Sequence, residues 1–220
     1  MVILNADFER LRHTSTTIRK HDVHLELKHL DYSVRLRPMT ENDWPELFRW
    51  NADPDVVYYS EGSVDDLHAP EEIKEIYRVT SQNAHCFIIE CNSSAIGECW
   101  LQGMNIRQIS DAQPGKDCRR IDIMIGDKSY WNRGRGTAVI RRLVSFGFGQ
   151  QNADMIFGLV SDHNKRSIGA FQKAGFSLIG KRKEPEGSKG KFELQMCISK
   201  TEYMKVGKEE ITECTGRGHR

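Results

Sequence analysis

Residues 120–160 hold the pattern that most constrains the fold, because two strand-like segments enclose a glycine loop and an amphipathic helix. The first segment alternates with period two, which places Asp122 and Met124 on one face and three isoleucines on the other, Ile121, Ile123 and Ile125. The second, residues 155–160, is continuously apolar, as expected of a parallel strand covered on both faces. A strand, a crossover helix and a second buried strand predict a parallel strand pair.

The flanking segments predict a mixed sheet with helices on both faces, an α/β architecture. Alternating residues and turn signals predict further strands over residues 33–37, 85–91, 95–101, 176–180 and 192–198. Apolar residues at helical spacing predict helices that begin near Thr40, Pro70 and Asn164. We therefore expect an N-terminal extension, one domain and a C-terminal tail, over residues 1–32, 33–200 and 201–220.

Composition excludes several classes of protein. Hydrophobic residues make up 38% of the 220 residues and charged residues 29%, which fits neither a disordered chain, a collagen nor a membrane protein. No apolar run approaches the roughly 18 residues of a membrane-spanning helix, and charges from Asp7 onward interrupt the N-terminal apolar stretch. We expect a cytoplasmic protein with no membrane partner. The net charge of +1 also argues against a general nucleic-acid binder.

The six cysteines form no C-x-x-C pair, and most lie within or beside apolar strand-like runs. We interpret them as reduced core residues rather than as disulfides or metal ligands. His21 and His24 could share a metal ion, but no carboxylate or thiol completes a recognisable ligand set, so no metal is expected.

Charge is unevenly distributed along the chain. Residues 53–75 hold eight acids and one base, whereas residues 128–142 hold five bases and no acid. This segregation suggests two ligands of opposite charge, and two solvated faces would explain it equally well.

The basic stretch contains the glycine loop, residues 130–137. Gly134 and Gly136 allow a tight turn and a close approach of the backbone to a ligand, and the following helix directs free N–H groups to the same place. This arrangement can bind a phosphate, with charge added by Arg133 and Arg135. The loop lacks the Lys-Ser/Thr pair of a Walker loop and the third glycine of a dinucleotide fingerprint, and a purely structural turn could also carry two glycines.

A second motif follows about 30 residues after the glycine loop and reads N-x-x-S-x-x-x-F-x-K-x-G-F from Asn164 to Phe176. Together the two motifs resemble the GNAT superfamily of N-acetyltransferases, whose R/Q-x-x-G-x-G/A loop cradles the pyrophosphate of acetyl coenzyme A (acetyl-CoA). Trp131 stands at the family's Arg/Gln position, a departure that bears on the subfamily more than on cofactor binding. The resemblance covers about residues 33–200.

The resemblance implies acetyl-CoA as co-substrate. Backbone N–H groups of the first strand would hold the thioester oxygen, and Asn164 would contact the pantetheine or phosphate arm, cap its helix, or do both. Phe171 stands where many members carry a tyrosine that protonates the departing thiolate, so that proton would come from water or another tyrosine, or the thiolate would leave unassisted. The expected cofactor-binding residues are Ile123, Met124, Ile125, Arg133, Gly134, Arg135, Gly136, Thr137, Asn164 and Phe171.

Within the superfamily, the chain is similar to the aminoglycoside 6′-N-acetyltransferases. Asp122 matches their strand aspartate, residues 55–62 resemble their aromatic loop after the first helix, and acidic surroundings suit a polycationic sugar. We predict that Asp122 is catalytic, orienting the amine and accepting its proton, with an ion pair to Arg119 or Arg120 as the alternative. The expected substrate-binding residues are Tyr58, Tyr59, Glu61, Trp100 and Asp122. The alternative for the two tyrosines is packing.

The predicted reaction is therefore acetyl transfer to a small cationic amine, by a monomer or a homodimer. One alternative is an N-terminal acetyltransferase of the ribosomal-protein type, whose Tyr-Trp-x-x-Gly loop is similar. The other is a non-catalytic acyl-CoA-binding module, which Phe171 suggests and an inward Asp122 opposes.

Overall fold

The computed structural model describes residues 14–29, 32–60 and 68–205, which build a mixed sheet of eight strands. The strands are β1 (Leu25–His29), β2 (Tyr32–Pro38), β3 (Ala84–Cys91), β4 (Ser94–Gly103), β5 (Cys118–Ile125), β6 (Met155–Ser161), β7 (Ser177–Lys183) and β8 (Phe192–Ser199). They lie in the order β1-β2-β3-β4-β5-β6-β8-β7. Neighbours are antiparallel except β5 and β6, which are parallel as predicted.

Helices cover both faces of the sheet, which confirms the predicted α/β class. They are α1 (Trp44–Asn51), α2 (Pro54–Ser60), α3 (Pro70–Ser81), α4 (Arg107–Asp111), α5 (Arg135–Gly149) and α6 (Lys165–Lys173). One apolar core lies between the sheet and α5 and α6, and it includes Phe171. Another lies beneath α1, α2 and α3, and it includes Trp50 and Tyr77. Alternation along β5 assigns Ile121 to the first core and Met124 to the second, as the sequence predicts.

The parallel strands β5 and β6 separate part-way along their length. Paired positions run from Cys118 opposite Met155 to Ile121 opposite Gly158, where the register ends. Beyond this point β5 continues along β4, and β6 continues along β8. A gap therefore opens in the middle of the sheet.

Backbone polar groups of β5 point into this gap. The carbonyl oxygen of Ile125 accepts a hydrogen bond of 2.7 Å from the indole of Trp131, which lies outside the sheet. Residues two apart in a strand direct their backbone groups to the same side. Ile123 therefore also directs its N–H and C=O away from β4 and into the gap.

The N-terminal boundary predicted at residue 33 is too late. Residues 25–29 form the edge strand β1, which pairs along β2 because Leu25 is buried in the core. Ile18 is buried as well, and the N–H of Arg19 donates to the hydroxyl of Ser81 at 2.9 Å. Part of the expected extension is therefore integral to the domain. Residues 1–13 lie outside the described residues.

Two other segments are more helical than predicted. Residues 55–60 were expected to belong to a loop but form α2, because Pro54 starts a helix whose residues Val56 and Val57 are buried. The short helix α4 begins the polar segment after β4, because Ile109 packs into a small core there. The described part of the C-terminal tail, residues 201–205, is also helical.

The predicted reduced thiols are confirmed for the cysteines that the structure describes. These are buried and free, namely Cys86, Cys91, Cys99, Cys118 and Cys197, whereas Cys214 lies outside the described residues. Burial raises the pKa of the Cys197 thiol to about 12. Nε2 of His21 lies 2.9 Å from the carbonyl oxygen of Cys86, and no group of three potential metal ligands occurs among the described residues. None of the described helices combines the length and apolarity needed to cross a membrane.

Candidate active site

Two cavities meet at the gap between β5 and β6. The larger, of about 500 Å³, lies beside the glycine loop and the start of α6, and we call it the groove. The smaller, of about 150 Å³, lies over the polar face of β4 and β5, and we call it the pocket. Both cavities are lined by Tyr59, Ser60, Ile123, Met124, Asn164 and Ser167. A group bound in the groove can therefore reach the pocket through the gap.

Most of the predicted site residues line one of these cavities. The groove also contains Ile125, Gly134, Arg135, Gly136 and Thr137, and the pocket contains Trp100, Asp122 and Phe171. Arg133 is exposed and Tyr58 lines neither cavity, while Glu61 lies outside the described residues. The structure thus brings most of the predicted cofactor residues to the groove, whereas Phe171 lies in the pocket with Trp100 and Asp122.

The glycine loop forms one wall of the groove. Gly134 precedes α5 with a φ of +73°, and no side chain caps the helix. A side chain on Gly134 or Gly136 would project into open space, which is the space that a ligand needs to reach the backbone. The first N–H groups of α5 have no partner within the helix, so they can bind a phosphate.

The two arginines of the loop differ in environment. Arg135 stacks on the ring of Tyr32, with its guanidinium carbon 3.4 Å from the ring centre, and Nη1 donates to the carbonyl oxygen of Arg133 at 2.9 Å. The guanidinium of Arg135 therefore helps to fix the loop. Arg133 is free to approach a phosphate from solvent.

A third arginine, Arg166, also lines the groove, although the motifs did not single it out. Arg166 on α6 lies between the rings of Tyr59 and Trp131, 3.8 Å from each ring centre. The three side chains connect α2, the glycine loop and α6. Such cation–π contacts hold together the two sides of the gap.

Asp122 lies in the pocket, and three donors converge on one of its oxygens. Trp100 Nε1, Arg120 Nε and Gln102 Nε2 donate to Oδ2 at 2.6, 2.7 and 2.8 Å. The side chain of Asp122 is 25% exposed and that of Arg120 is 3% exposed. None of the described residues donates a hydrogen bond to Oδ1, so this oxygen is available to a ligand.

The carboxyl group of Asp122 is ionised at neutral pH. Burial alone would raise its pKa, but the charge and hydrogen bond of Arg120 and the bond from Gln102 outweigh burial and hold the pKa below its usual value. Arg119, the other partner considered, pairs instead with Asp117 at 2.6 Å. The ion-pair alternative is therefore present with Arg120, and it coexists with an exposed oxygen.

The end of α2 is tied to the start of α6 between the two cavities. The side chain of Asn164 accepts from the N–H of Ser167 at 3.0 Å, which caps α6, and donates to the carbonyl oxygen of Tyr59 at 2.9 Å. Nε2 of His163 lies 3.2 Å from the carbonyl oxygen of Tyr58, whose ring packs on His163. The cap is present as predicted, and contact between Asn164 and a cofactor stays a prediction.

Phe171 is buried where the two strands separate. Its ring packs on Gly158, which leaves no room for a side chain at that position. The ring has no proton to donate. Ser167, one turn earlier on α6, carries a hydroxyl and lines both cavities.

The acidic and basic stretches partly neutralise each other. Asp53 and Asp55 form ion pairs with Lys128 at 2.9 and 2.7 Å. These contacts lower the pKa of Asp53 and raise the pKa of Lys128. Neither aspartate lines the pocket, so the acidic stretch supplies less of the substrate site than its sequence suggests.

Carboxylates from other elements line the pocket beside Asp122, namely Glu98, Glu184 and Glu193. Glu98 on β4 is buried and lies opposite Met124, on the same face as Trp100, so strand alternation could have identified it. Glu184 and Glu193 come from the β7–β8 region, and only the folded sheet brings them to this place.

Comparisons with known proteins agree with this geometry. Residues 33–177 match the acetyltransferase (GNAT) domain family. An aminoglycoside N(6′)-acetyltransferase type 1 from Klebsiella pneumoniae is 25% identical over 168 residues, which are 70% of this chain and 79% of that protein.

Solved structures show the same fold. The structure of the aminoglycoside acetyltransferase AAC(6′)-Ib with coenzyme A and kanamycin has a TM-score of 0.63 at 23% identity, covering 78% of this chain and 98% of that one. Spermidine N-acetyltransferase from Vibrio cholerae, solved with CoA and spermine, has a TM-score of 0.63 at 19% identity, with the same coverage of both chains. The family match spans more than half of the chain and includes the glycine loop and the whole second motif. The chain therefore belongs to the GNAT acetyltransferases and is an acetyl-CoA-dependent N-acetyltransferase.

Proposed function

We propose that this enzyme acetylates a small polycationic substrate, and that the substrate is an aminoglycoside modified at its 6′ amine. The supporting observation is the fixed negative charge of Asp122 in a pocket that opens into the groove. An ammonium group binds such a carboxylate by charge-assisted hydrogen bonds of about 1.5–3 kcal/mol each. Glu184, which also lines the pocket, adds a second carboxylate for a substrate with several ammonium groups.

The residues of the gap divide the work of the reaction. Acetyl-CoA bound in the groove supplies an acetyl thioester. The unprotonated amine forms a C–N bond to the thioester carbonyl carbon while the C–S bond breaks. The departing thiolate takes up a proton from the amine. Residues 133–137 would hold the diphosphate, and the N–H of Ile123 would donate to the thioester oxygen. Asp122 would hold the amine on the other side of the gap, close to the carbonyl.

The similar proteins support a polycationic acceptor. The Klebsiella protein and the AAC(6′)-Ib structure carry aminoglycoside acetyltransferase names, and the Vibrio cholerae protein is a spermidine N-acetyltransferase. Since the pocket carboxylates would also accept a linear polyamine, spermidine is the competitor that an experiment has to separate from an aminoglycoside.

A thiol-release assay with acetyl-CoA against kanamycin, tobramycin, spermidine and basic peptides tests the proposal. We expect turnover of kanamycin and tobramycin, with the acetyl group on the 6′ nitrogen by NMR of the product. Turnover of spermidine alone would identify a polyamine acetyltransferase. Turnover of peptides alone would indicate an N-terminal acetyltransferase.

Glu184→Gln tests the polycationic pocket. Loss of one charge-assisted bond should raise the KM for kanamycin about 10-fold and leave the KM for acetyl-CoA unchanged, because Glu184 lines the pocket and not the groove. Glu186→Gln removes the same charge from the same loop outside the pocket and serves as the control. Equal kinetics for the two variants would contradict a role for Glu184.

A further inference from the structure

We propose that Arg120 is a positioning residue for acetyl transfer: it holds Asp122 as a permanently charged anchor for the ammonium group, and the amine loses its first proton to solvent rather than to Asp122. The inference rests on the proposed function, because it concerns the same amine. It adds a role for a buried residue that touches neither substrate nor cofactor in the scheme above.

The hydrogen bonds of Asp122 fix the orientation of its carboxylate group, so that one oxygen faces the pocket. Trp100, Gln102 and Arg120 are all buried, so the donor groups that bind Oδ2 cannot turn to water instead. Turning the carboxylate out of this orientation would leave three buried donors without an acceptor, and a half-turn only exchanges two equivalent oxygens. Oδ2 is therefore occupied by hydrogen bonds within the protein, and Oδ1 is held towards the pocket.

Arg120 is itself held in place. Its Nη1 donates to Oδ1 of Asn105 at 3.2 Å while Nε binds Asp122, and its guanidinium remains charged at any pH of interest. Among the described residues that line the pocket, Arg120 is the one Lys or Arg. The other titratable groups of the pocket come from surrounding elements and are Tyr59, His68, Tyr77, Glu98, His163, Glu184 and Glu193.

Anchoring and proton acceptance make opposite demands on Asp122. An alkylammonium group and an ordinary carboxyl group differ by about six pKa units, so a proton moves between them with difficulty. Arg120 widens this difference, because it holds the pKa of Asp122 below the usual value. The same charge makes Asp122 a good partner for the ammonium group. The first proton therefore leaves to a hydroxide ion of the bulk solvent, which becomes water, and the lone pair is then free to attack.

An NMR titration of protein with ¹³C-labelled aspartate carboxyl groups tests the positioning role directly. The resonance of Asp122 is identified by its absence from Asp122→Asn. In the wild type we expect it to titrate below the ordinary range. Arg120→Gln should raise the midpoint by about 1–3 pH units, the effect expected of an adjacent arginine, and Arg120→Lys should largely restore it.

Arg119→Gln is the matched control. Arg119 lies on the same strand as Arg120, but it pairs with Asp117 instead of Asp122. This substitution should leave the Asp122 resonance in place. An unmoved midpoint in Arg120→Gln would overturn the proposal. If that variant does not fold, Gln102→Leu removes one donor to the same oxygen and should give a smaller upward shift, and no shift there would also overturn it.

Kinetics separate this inference from the proposed function. In Arg120→Gln the kcat/KM for the amine should gain an acid limb at the new midpoint and approach the wild-type value at high pH. If Arg120 were merely structural, its substitution would lower kcat/KM for the amine by the same factor at every pH. That result would overturn the proposal. A wild type that acetylates none of the amines contradicts the proposed function, whereas an active enzyme with an unmoved resonance contradicts only the role of Arg120.

Discussion

Asp122 can combine a structural role with the proposed binding of substrate because its two oxygens lie in different environments. Oδ2 accepts three buried hydrogen bonds and belongs to the packing of β4 and β5. None of the described residues donates a hydrogen bond to Oδ1, which can therefore bind an ammonium group. An ion pair within the fold and a contact with substrate are therefore compatible at one residue, since the ion pair with Arg120 is what keeps the second oxygen charged.

Asp122→Asn tests the anchor role at this residue. We expect kcat/KM for the amine to fall about 10- to 150-fold, which is the loss of one charge-assisted bond of 1.5–3 kcal/mol, and the Kd of acetyl-CoA to remain unchanged. Thiol release and calorimetry measure the two quantities. Circular dichroism checks the fold, because Arg120 loses its counter-charge.

The size of that loss distinguishes the two roles of the carboxylate. A fall of about 10⁴-fold would indicate that Asp122 accepts the proton as a general base. Unchanged turnover would remove Asp122 from the mechanism altogether.

In the proposed site the glycine loop and α5 act through their backbone, so coenzyme A binding would depend on their conformation more than on side-chain chemistry. Gly134 adopts a left-handed conformation that costs other residues about 1–2 kcal/mol, and its missing side chain leaves space above the helix N-terminus. Gly134→Val should therefore raise the Kd of coenzyme A at least about tenfold in a calorimetric titration.

Gly115→Val is the matched control for backbone strain. Gly115 has a φ of +75° and open space around it, but it lies in the loop after α4, away from the groove. It should cost similar stability without weakening coenzyme A binding. Normal binding by Gly134→Val would refute the assignment of the loop as the phosphate site.

Local patterns predicted the elements that carry the cofactor site, because β5, the glycine loop and α5 are consecutive and each has its own periodicity. Contacts between distant segments were beyond such patterns. Lys128 neutralises Asp53 only because the fold brings α2 beside the glycine loop, and Glu184 reaches the pocket only through the β7–β8 connection. The contacts of Arg166 with Tyr59 and Trp131 likewise depend on α6, α2 and the glycine loop meeting across the gap.

On the scale of the whole molecule, the site exists because two antiparallel halves of the sheet meet through one short parallel contact. β1 to β5 form one half, and β6 to β8 form the other. Their register covers only the first half of β5, and beyond it the halves are linked by side chains such as Arg166 and Asn164. The opening proposed to bind both substrates is thus a consequence of the topology.

The same packing makes the stability of the molecule depend on pH. His85 on β3 packs against Phe146 of α5 and against His21. Burial, together with the nearby charges of His21, Arg19 and Arg119, lowers the pKa of His85 to about 4. Between pH 6.5 and 4 the unfolded chain binds a proton at this residue that the folded chain does not bind. The stabilisation is therefore complete above pH 6.5 and is lost as the pH falls towards 4.

His85→Phe removes this titration while keeping a ring against Phe146. Because the His85 side chain retains some solvent contact, we expect its share of the acid-induced loss to be on the order of 1–2 kcal/mol, and the variant should lose correspondingly less stability between pH 7 and 4. Urea unfolding at several pH values measures the difference. His24→Gln changes an exposed histidine nearby and should follow the wild type. If His85→Phe and the wild type lose stability in parallel, the acid sensitivity resides elsewhere in the molecule.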